Sequence, residues 1–198
     1  MLRKLKARGF AVFGEAGRYK FDLNIVAVRN DESHRKPDLY LDDLYVYWRE
    51  GAGNNWRCFN AEMSTTPGNY YLVHPMRPDE GCAIMAAGYQ YRGAYIRGLH
   101  KNTRALVQQG AAVKYYRDNN RDSVLDLDPS TMRSGYAGLQ IHRGGKSERV
   151  GRWSAGCQIL RSGDMAFLMK LADKQAETNS GPGWDRYTYT LIDEKDLR

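Results

Sequence analysis

The chain reads as a mainly β protein with some α, an α+β domain. Three observations predict this. Short runs rich in β-branched and aromatic residues recur along it, separated by Gly, Pro and Asn clusters. Tyrosine, with 14 copies, dominates the aromatics and falls mostly inside those runs, where it suits a half-buried pleated surface. A single segment after residue 160 carries a dense apolar face at helical spacing.

Residues 1–20 hold Arg3, Lys4, Lys6, Arg8 and three glycines, and read as a basic arm, a turn-rich lead-in or a docking segment. The domain proper is expected over 21–198. Phe21–Arg29 alternates as a strand, and Asn30–Asp38, with Pro37, forms a loop. Leu41–Glu50 and Trp56–Met63 flank Gly51–Asn55 and read as a β-hairpin. Alternation puts Cys58 with Trp56 and Asn60, a set expected to be buried. Thr66-Pro67-Gly68-Asn69-Tyr70 is a tight turn, Pro presetting φ and Gly accepting φ > 0, with a strand leaving it at once. The segment from His74 to Gly81 is a loop, and His74 reads as a solvated residue of it.

Cys82–Ala87 and Tyr89–Ile96 are strand segments bending at Gly88 and Gly93. Asn102 can cap a short helix, Thr103–Gln109, ended by Gly110. Ala111–Arg117 is a further strand. Asp118, Asn120 and Asp122 mimic the start of a calcium loop, but Ser123 stands at its glycine place and Pro129 at its bidentate glutamate, so this is an acidic surface loop. Ser134–Gly138 turns into the strand Leu139–His142. Ser162 caps a helix over Gly163–Glu177, with Met165, Phe167, Leu168, Met169, Leu171 and Ala172 on its apolar face. Asn179–Gly183 stops it, and Trp184–Asp193 alternates as the last strand.

At 198 residues the chain can bury a full core without staples. No stretch is apolar enough to span a bilayer, and the basic N-terminus lacks the apolar run of a signal peptide. Three cysteines in no CxxC or Cys/His spacing exclude a structural zinc pattern and suit a reducing compartment. The net charge of +7 suggests a polyanionic partner: nucleic acid, an anionic membrane, or the phosphate and carboxylate polymers of a bacterial wall. No nucleic-acid-binding motif accompanies that charge, so nucleic acid ranks low.

The chemistry concentrates in Ile141–Leu160, IHRGGKSERVGRWSAGCQIL. Cys157 follows a small-small pair where the backbone can turn sharply. His142 leads it by fifteen positions, close enough for a hairpin to join them. A thiol needs such a neighbour, since little of it is thiolate at neutral pH. The pair reads as nucleophile and base. The competing reading is a small core cysteine and a strand-end histidine.

The segment resembles the catalytic stretch of the L,D-transpeptidase (YkuD-type) family, an upstream His, a loop, then Ser/Thr-His-Gly-Cys. Ile141-His142 matches the first part, and Ser154, Gly156 and Cys157 match the second. The Thr66–Tyr70 block resembles the family's Thr-Pro-x-Gly-x-Phe/Tyr block, one residue tighter, so the likeness runs over roughly residues 40–161. Three departures stand out. Ala155 replaces the second histidine, the loop is shorter, and Ile159 occupies a place usually basic or amide, with Gln158 and Arg161 the nearest polar substitutes.

The resemblance implies a YkuD-like β-sandwich or open barrel with one or two packed helices. It implies a Cys157 nucleophile, a His142 base whose other nitrogen faces the Arg143 backbone carbonyl, and Gly156 and Cys157 N–H groups for the oxyanion, with Ser154 in the same motif. Arg152, Trp153, Tyr136 and Arg161 are expected toward substrate, Trp153 and Tyr136 also as substitute donors. Arg143, Lys146, Arg149 and Arg152 can meet substrate carboxylates. His100 lies near where the family often carries pocket residues, though no motif picks it out. The implied reaction cuts peptidoglycan stem peptides before a D-amino acid and passes the acyl group to an amine or water, with no metal and no cofactor. Without a signal of its own such an enzyme would be made in the cytoplasm and reach the wall by a secretion apparatus, a lysis pore or a virion, as a phage lysin does. The alternative is a non-catalytic wall-contacting or virion structural module on the same fold, which Ala155 and Ile159 favour.

Overall fold

Strand β1 (Asn24–Arg29) is buried along its whole length, because it lies between two neighbours inside a curved sheet. The structure, a computed structural model, describes residues 1–14, 21–51, 55–179 and 184–198. Beyond β1 the strands are β2 (Asp42–Arg49), β3 (Trp56–Ser64), β4 (Cys82–Met85), β5 (Tyr89–His100), β6 (Thr103–Gln108), β7 (Val113–Asp118), β8 (Arg133–Gly135), β9 (Ile141–Arg143), β10 (Gln158–Leu160) and β11 (Arg186–Asp193). The helices are α1 (Leu2–Ala7), α2 (Asn69–Val73) and α3 (Ser162–Thr178).

Eight strands form a mixed closed barrel in the order β1-β11-β5-β6-β9-β10-β3-β2, where a sandwich or open barrel was expected. Closure removes the free sheet edges that would otherwise need cover. The pairs β1–β11 and β9–β10 are parallel. A second sheet, β4-β7-β8, packs beside the barrel. Inward residues such as Leu44, Val46, Ala61, Met63, Leu106 and Leu191 share one core with Met165, Leu168 and Met169 of α3, which lies against β6 and β9. Phe167, expected on that apolar face, is instead exposed and packs on Phe59.

Arg29 is fully buried and donates to Thr65 Oγ1 at 2.8 Å and to the Met85 carbonyl at 2.9 Å, tying the barrel to the second sheet. Asp42 accepts from the Thr65 N–H and hydroxyl at 2.6 and 2.7 Å. Together they fix the end of β3, from which the Pro67-Gly68 turn departs. The lead-in is docked: Leu5 is buried with Val26, Val28 and Ile192, and the Phe13 N–H donates to Asn24 Oδ1.

Several expectations need correction. Thr103–Gln108 is a strand: Lys101 and Asn102 take φ of +47° and +60° and form the two-residue turn of the β5–β6 hairpin, so Asn102 serves a turn and caps no helix. The Pro67-Gly68 turn leads into α2 rather than a strand, and Gly68 has φ −73°. Its glycine is required by close approach, since a Cβ there would stand 1.9 Å from the Gly151 carbonyl oxygen. Cys58 is exposed: β2 pairs Leu44 with Ala61 and Val46 with Phe59, so the barrel takes the other face of β3. Ser162 is the first residue of α3, and Arg161 holds the cap position without a side-chain bond. The 3-10 turn Asp31–His34 occupies the first predicted loop. Residues 52–54 of the β2–β3 turn, 180–183 of the helix stop and 15–20 of the lead-in lie outside the described residues.

Candidate active site

Parallel pairing of β9 with β10 builds the site. Gln158 stands opposite Ile141 and Ile159 opposite His142, and the Gln158 N–H donates to the Gln140 carbonyl at 2.8 Å. Cys157, just before β10, thereby comes beside the start of β9. The connection is a crossover loop, not the expected hairpin, because parallel strands cannot be joined by a tight turn.

That loop is pinned. Asp38 is buried at φ +77°, accepts from the Gly151 N–H at 2.5 Å and the Asn69 N–H at 3.3 Å, and gives its own carbonyl to the Val150 N–H. The Gly68 N–H donates to the Ser154 carbonyl at 2.9 Å, so the Pro-Gly block and the cysteine segment hold each other. Ser154 is fully buried; its hydroxyl donates to the Cys157 carbonyl at 2.7 Å and accepts from the Gly156 N–H at 3.0 Å. Gly156 takes φ +120°, and a Cβ there would stand 2.0 Å from the Ala83 carbonyl oxygen. Gln158, also buried, donates to the Gly156 carbonyl and accepts from the Tyr189 hydroxyl.

His142 is 4% exposed. Its Nδ1 lies 2.7 Å from the Arg143 carbonyl oxygen, and its Nε2 is buried with no hydrogen-bond partner. The His100 ring stacks on it, centroids 4.4 Å apart and planes 28° from parallel. One nitrogen from each ring and Cys157 Sγ all lie within 4.8 Å of one another. Burial pushes His142 down to about 4 against the opposing pull of its carbonyl bond, with the His100, Lys101 and Arg143 charges acting in the same direction as burial. Burial of the sulfur pushes Cys157 up to about 11, opposed by a backbone hydrogen bond from Gln140 and the Lys101 charge. The resting pair is therefore neutral thiol and neutral imidazole.

Cys157 faces a cleft of about 340 Å³, and His142 faces an adjoining one of about 420 Å³; His100, Lys101, Arg152 and Trp153 line both. The lysines and arginines of the two linings are Arg77, Lys101, Arg117, Arg143 and Arg152, and neither lining contains a carboxylate. Arg77 and Arg117 pair with Glu80 at 3.0 and 2.7 Å. Lys101 and Arg152 have no carboxylate partner among the described residues, and Arg152 lies 3.8 Å over the Tyr70 ring. Cys82 lines the first cleft but is buried and pushed up to about 12 by that burial, so it is no competing nucleophile.

The other expected residues divide. Trp153 is on the cleft wall, 42% exposed, with the Arg143 guanidinium 5.3 Å over it. Tyr136, 63% exposed, lines neither cleft. Arg161 lies 3.8 Å over Tyr40 and pairs with Glu148 at 3.0 Å, away from both clefts. Arg149 is held by Asp38 at 3.4 Å. The Gly156 N–H is taken by Ser154, which removes it as an oxyanion donor and leaves the Cys157 N–H as the main-chain donor at this turn. His74 is exposed and stacks on Tyr70. Sequence reasoning placed His100 near the family's pocket residues without giving it a role, and missed Lys101 and Asp38. The signal for His100 and Lys101 was Lys101-Asn102 read as a hairpin turn, which sets His100 at a strand end.

The same Cys and two His could hold a divalent cation, each offering one atom.

The chain matches no family model, no curated protein and no solved structure. No helix among the described residues is long and apolar enough to cross a membrane.

Proposed function

We propose that the chain is a cysteine acyltransferase or hydrolase of the L,D-transpeptidase type, acting on peptidoglycan stem peptides. The observation that carries this is a His142 ring nitrogen within 4.8 Å of Cys157 Sγ beside a cleft, with Nδ1 bound to the Arg143 carbonyl and Nε2 left unpartnered. A carbonyl only accepts, so Nδ1 bears the hydrogen and Nε2 presents a lone pair.

His142 Nε2 takes the thiol proton as sulfur attacks an amide carbonyl. The C–N bond then breaks, the proton passes to the leaving amine, and an acyl-enzyme remains for water or an amine to resolve. The cationic, carboxylate-free lining suits a substrate rich in carboxylates, as stem peptides are.

Purified muropeptides followed by mass spectrometry test the proposal. Release or exchange of D-alanine that disappears in Cys157→Ala is expected; unchanged muropeptides with wild-type protein would overturn it. The engaged Gly156 N–H favours one other reading, a wall-binding module without turnover, which would bind sacculi and leave them intact.

A further inference from the structure

We infer that His100 is the side-chain oxyanion donor of this site, the second imidazole that Ala155 does not supply; this rests on the proposed Cys157 chemistry. Attack on an amide forms a sulfur–carbon bond, moves the carbonyl π electrons onto oxygen and transfers the thiol proton to His142 Nε2. The new oxyanion needs a donor aimed at it and transfers no proton to that donor.

The candidates near the sulfur are few. The Gly156 N–H is spent on Ser154 Oγ, and the Gln158 N–H on the Gln140 carbonyl. Ala155 carries only a methyl. The Trp153 indole nitrogen packs over Gly145, within 2.3 Å of where a Cβ would be. Tyr136 is outside the cleft. Of the uncharged side-chain donors His100 remains: it lines both clefts beside the cations Lys101 and Arg152, and one of its ring nitrogens lies within 4.8 Å of Cys157 Sγ. The oxygen of a thiol adduct stands about 2.7 Å from sulfur and a working donor roughly 2.7–3.1 Å from that oxygen, so the donor nitrogen belongs roughly 4–5.5 Å from the sulfur. A His100 ring nitrogen, within 4.8 Å of the sulfur, lies inside the outer limit of that range. Stacking on His142 and the β5–β6 turn fix its ring before substrate arrives, which is the preorganisation that makes such donors effective.

The test separates oxyanion formation from thiol activation. Alkylation by iodoacetamide passes through no tetrahedral oxyanion, whereas acylation by p-nitrophenyl acetate does; both are read at Cys157 by peptide mass spectrometry in the full chain. His100→Ala is expected to keep alkylation within about twofold and to lower acylation about 10²-fold. His100→Gln, which keeps an N–H donor, should recover about tenfold of that loss, and His100→Phe, which keeps only the stack, should not. Acylation at the wild-type rate in His100→Phe, or alkylation falling as far as acylation in His100→Ala, would overturn the inference while leaving the cysteine reading intact. A wild-type protein that never acylates at Cys157 would overturn both.

Discussion

His142 Nδ1 and the Arg143 carbonyl oxygen are 2.7 Å apart, one residue reaching back to the backbone of the next. The contact fixes the tautomer and leaves the lone pair on Nε2, which has no hydrogen-bond partner. Burial holds the imidazole neutral down to about pH 4 and the thiol neutral up to about pH 11, so in the proposed reaction attack would start from a neutral pair with His142 as general base. We expect kcat/KM to rise with pH through an apparent pKa of about 4 and then stay level until the thiol ionises. His142→Ala should lower kcat/KM by about 10²–10⁴-fold. An acid limb near pH 7 instead would mean that His142 works as a thiolate–imidazolium pair.

The same shift makes stability depend on pH. His142 ordinarily titrates near 6.5 and in the fold near 4. As pH falls through that window the unfolded chain takes up a proton that the folded chain refuses, so stability is lost, by about 3 kcal/mol at most. Asp22 acts oppositely: burial raises its carboxyl from 3.8 to about 6, so the folded state gains protons first as pH falls. The difference between wild type and His142→Gln, measured by urea unfolding from pH 7 to 4, isolates the histidine. The gap should shift in favour of His142→Gln toward acid; parallel curves would show that His142 titrates normally.

Much of this fold was legible because local pattern and tertiary demand agreed. Leu44, Val46, Ala61 and Met63 alternate as a barrel wall requires, and Met165, Leu168, Met169 and Ala172 repeat as a packed helix requires. Where one local signal allowed two structures, tertiary pairing decided. Asn102 suits a helix cap or a turn, and β5 and β6 needed the turn. Tyr70-Tyr71-Leu72-Val73 favours a strand, yet forms α2, whose Tyr71 and Leu72 N–H groups reach the Gly68 carbonyl while Gly68 is held by Ser154. His142 and Cys157 were legible as residue types; their parallel register, and the His100 ring beside them, depend on strand order that no spacing encodes.

Ser154→Ala should separate fold from chemistry. The hydroxyl joins the Gly156 N–H to the Cys157 carbonyl inside a buried turn, and its loss strands two polar groups at a cost of about 1–3 kcal/mol. The freed Gly156 N–H gains no aim at the oxyanion, because the turn relaxes with it. Activity below the melting transition should fall by about 10²-fold, as expected for a nucleophile displaced by around 1 Å. Full activity at reduced Tm would show that the hydroxyl only stabilises.

Gly156→Ala should be the more severe change. A φ of +120° is strained for any L side chain, and the added Cβ would meet the Ala83 carbonyl oxygen at 2.0 Å and Leu139 at 2.9 Å. The first contact is backbone of the second sheet and cannot rotate aside, so either β4 or the cysteine turn must move. Strain and collision together should destabilise by about 3 kcal/mol or more. The control is Gly163→Ala in the first turn of α3, where a Cβ meets nothing within 4 Å; it should be neutral or stabilising by up to about 1 kcal/mol. Urea midpoints of the two variants, with acylation of Cys157 measured where both are folded, read the two effects separately. Equal midpoints would mean that the turn around Cys157 is not held against Ala83 as tightly as the backbone contact requires.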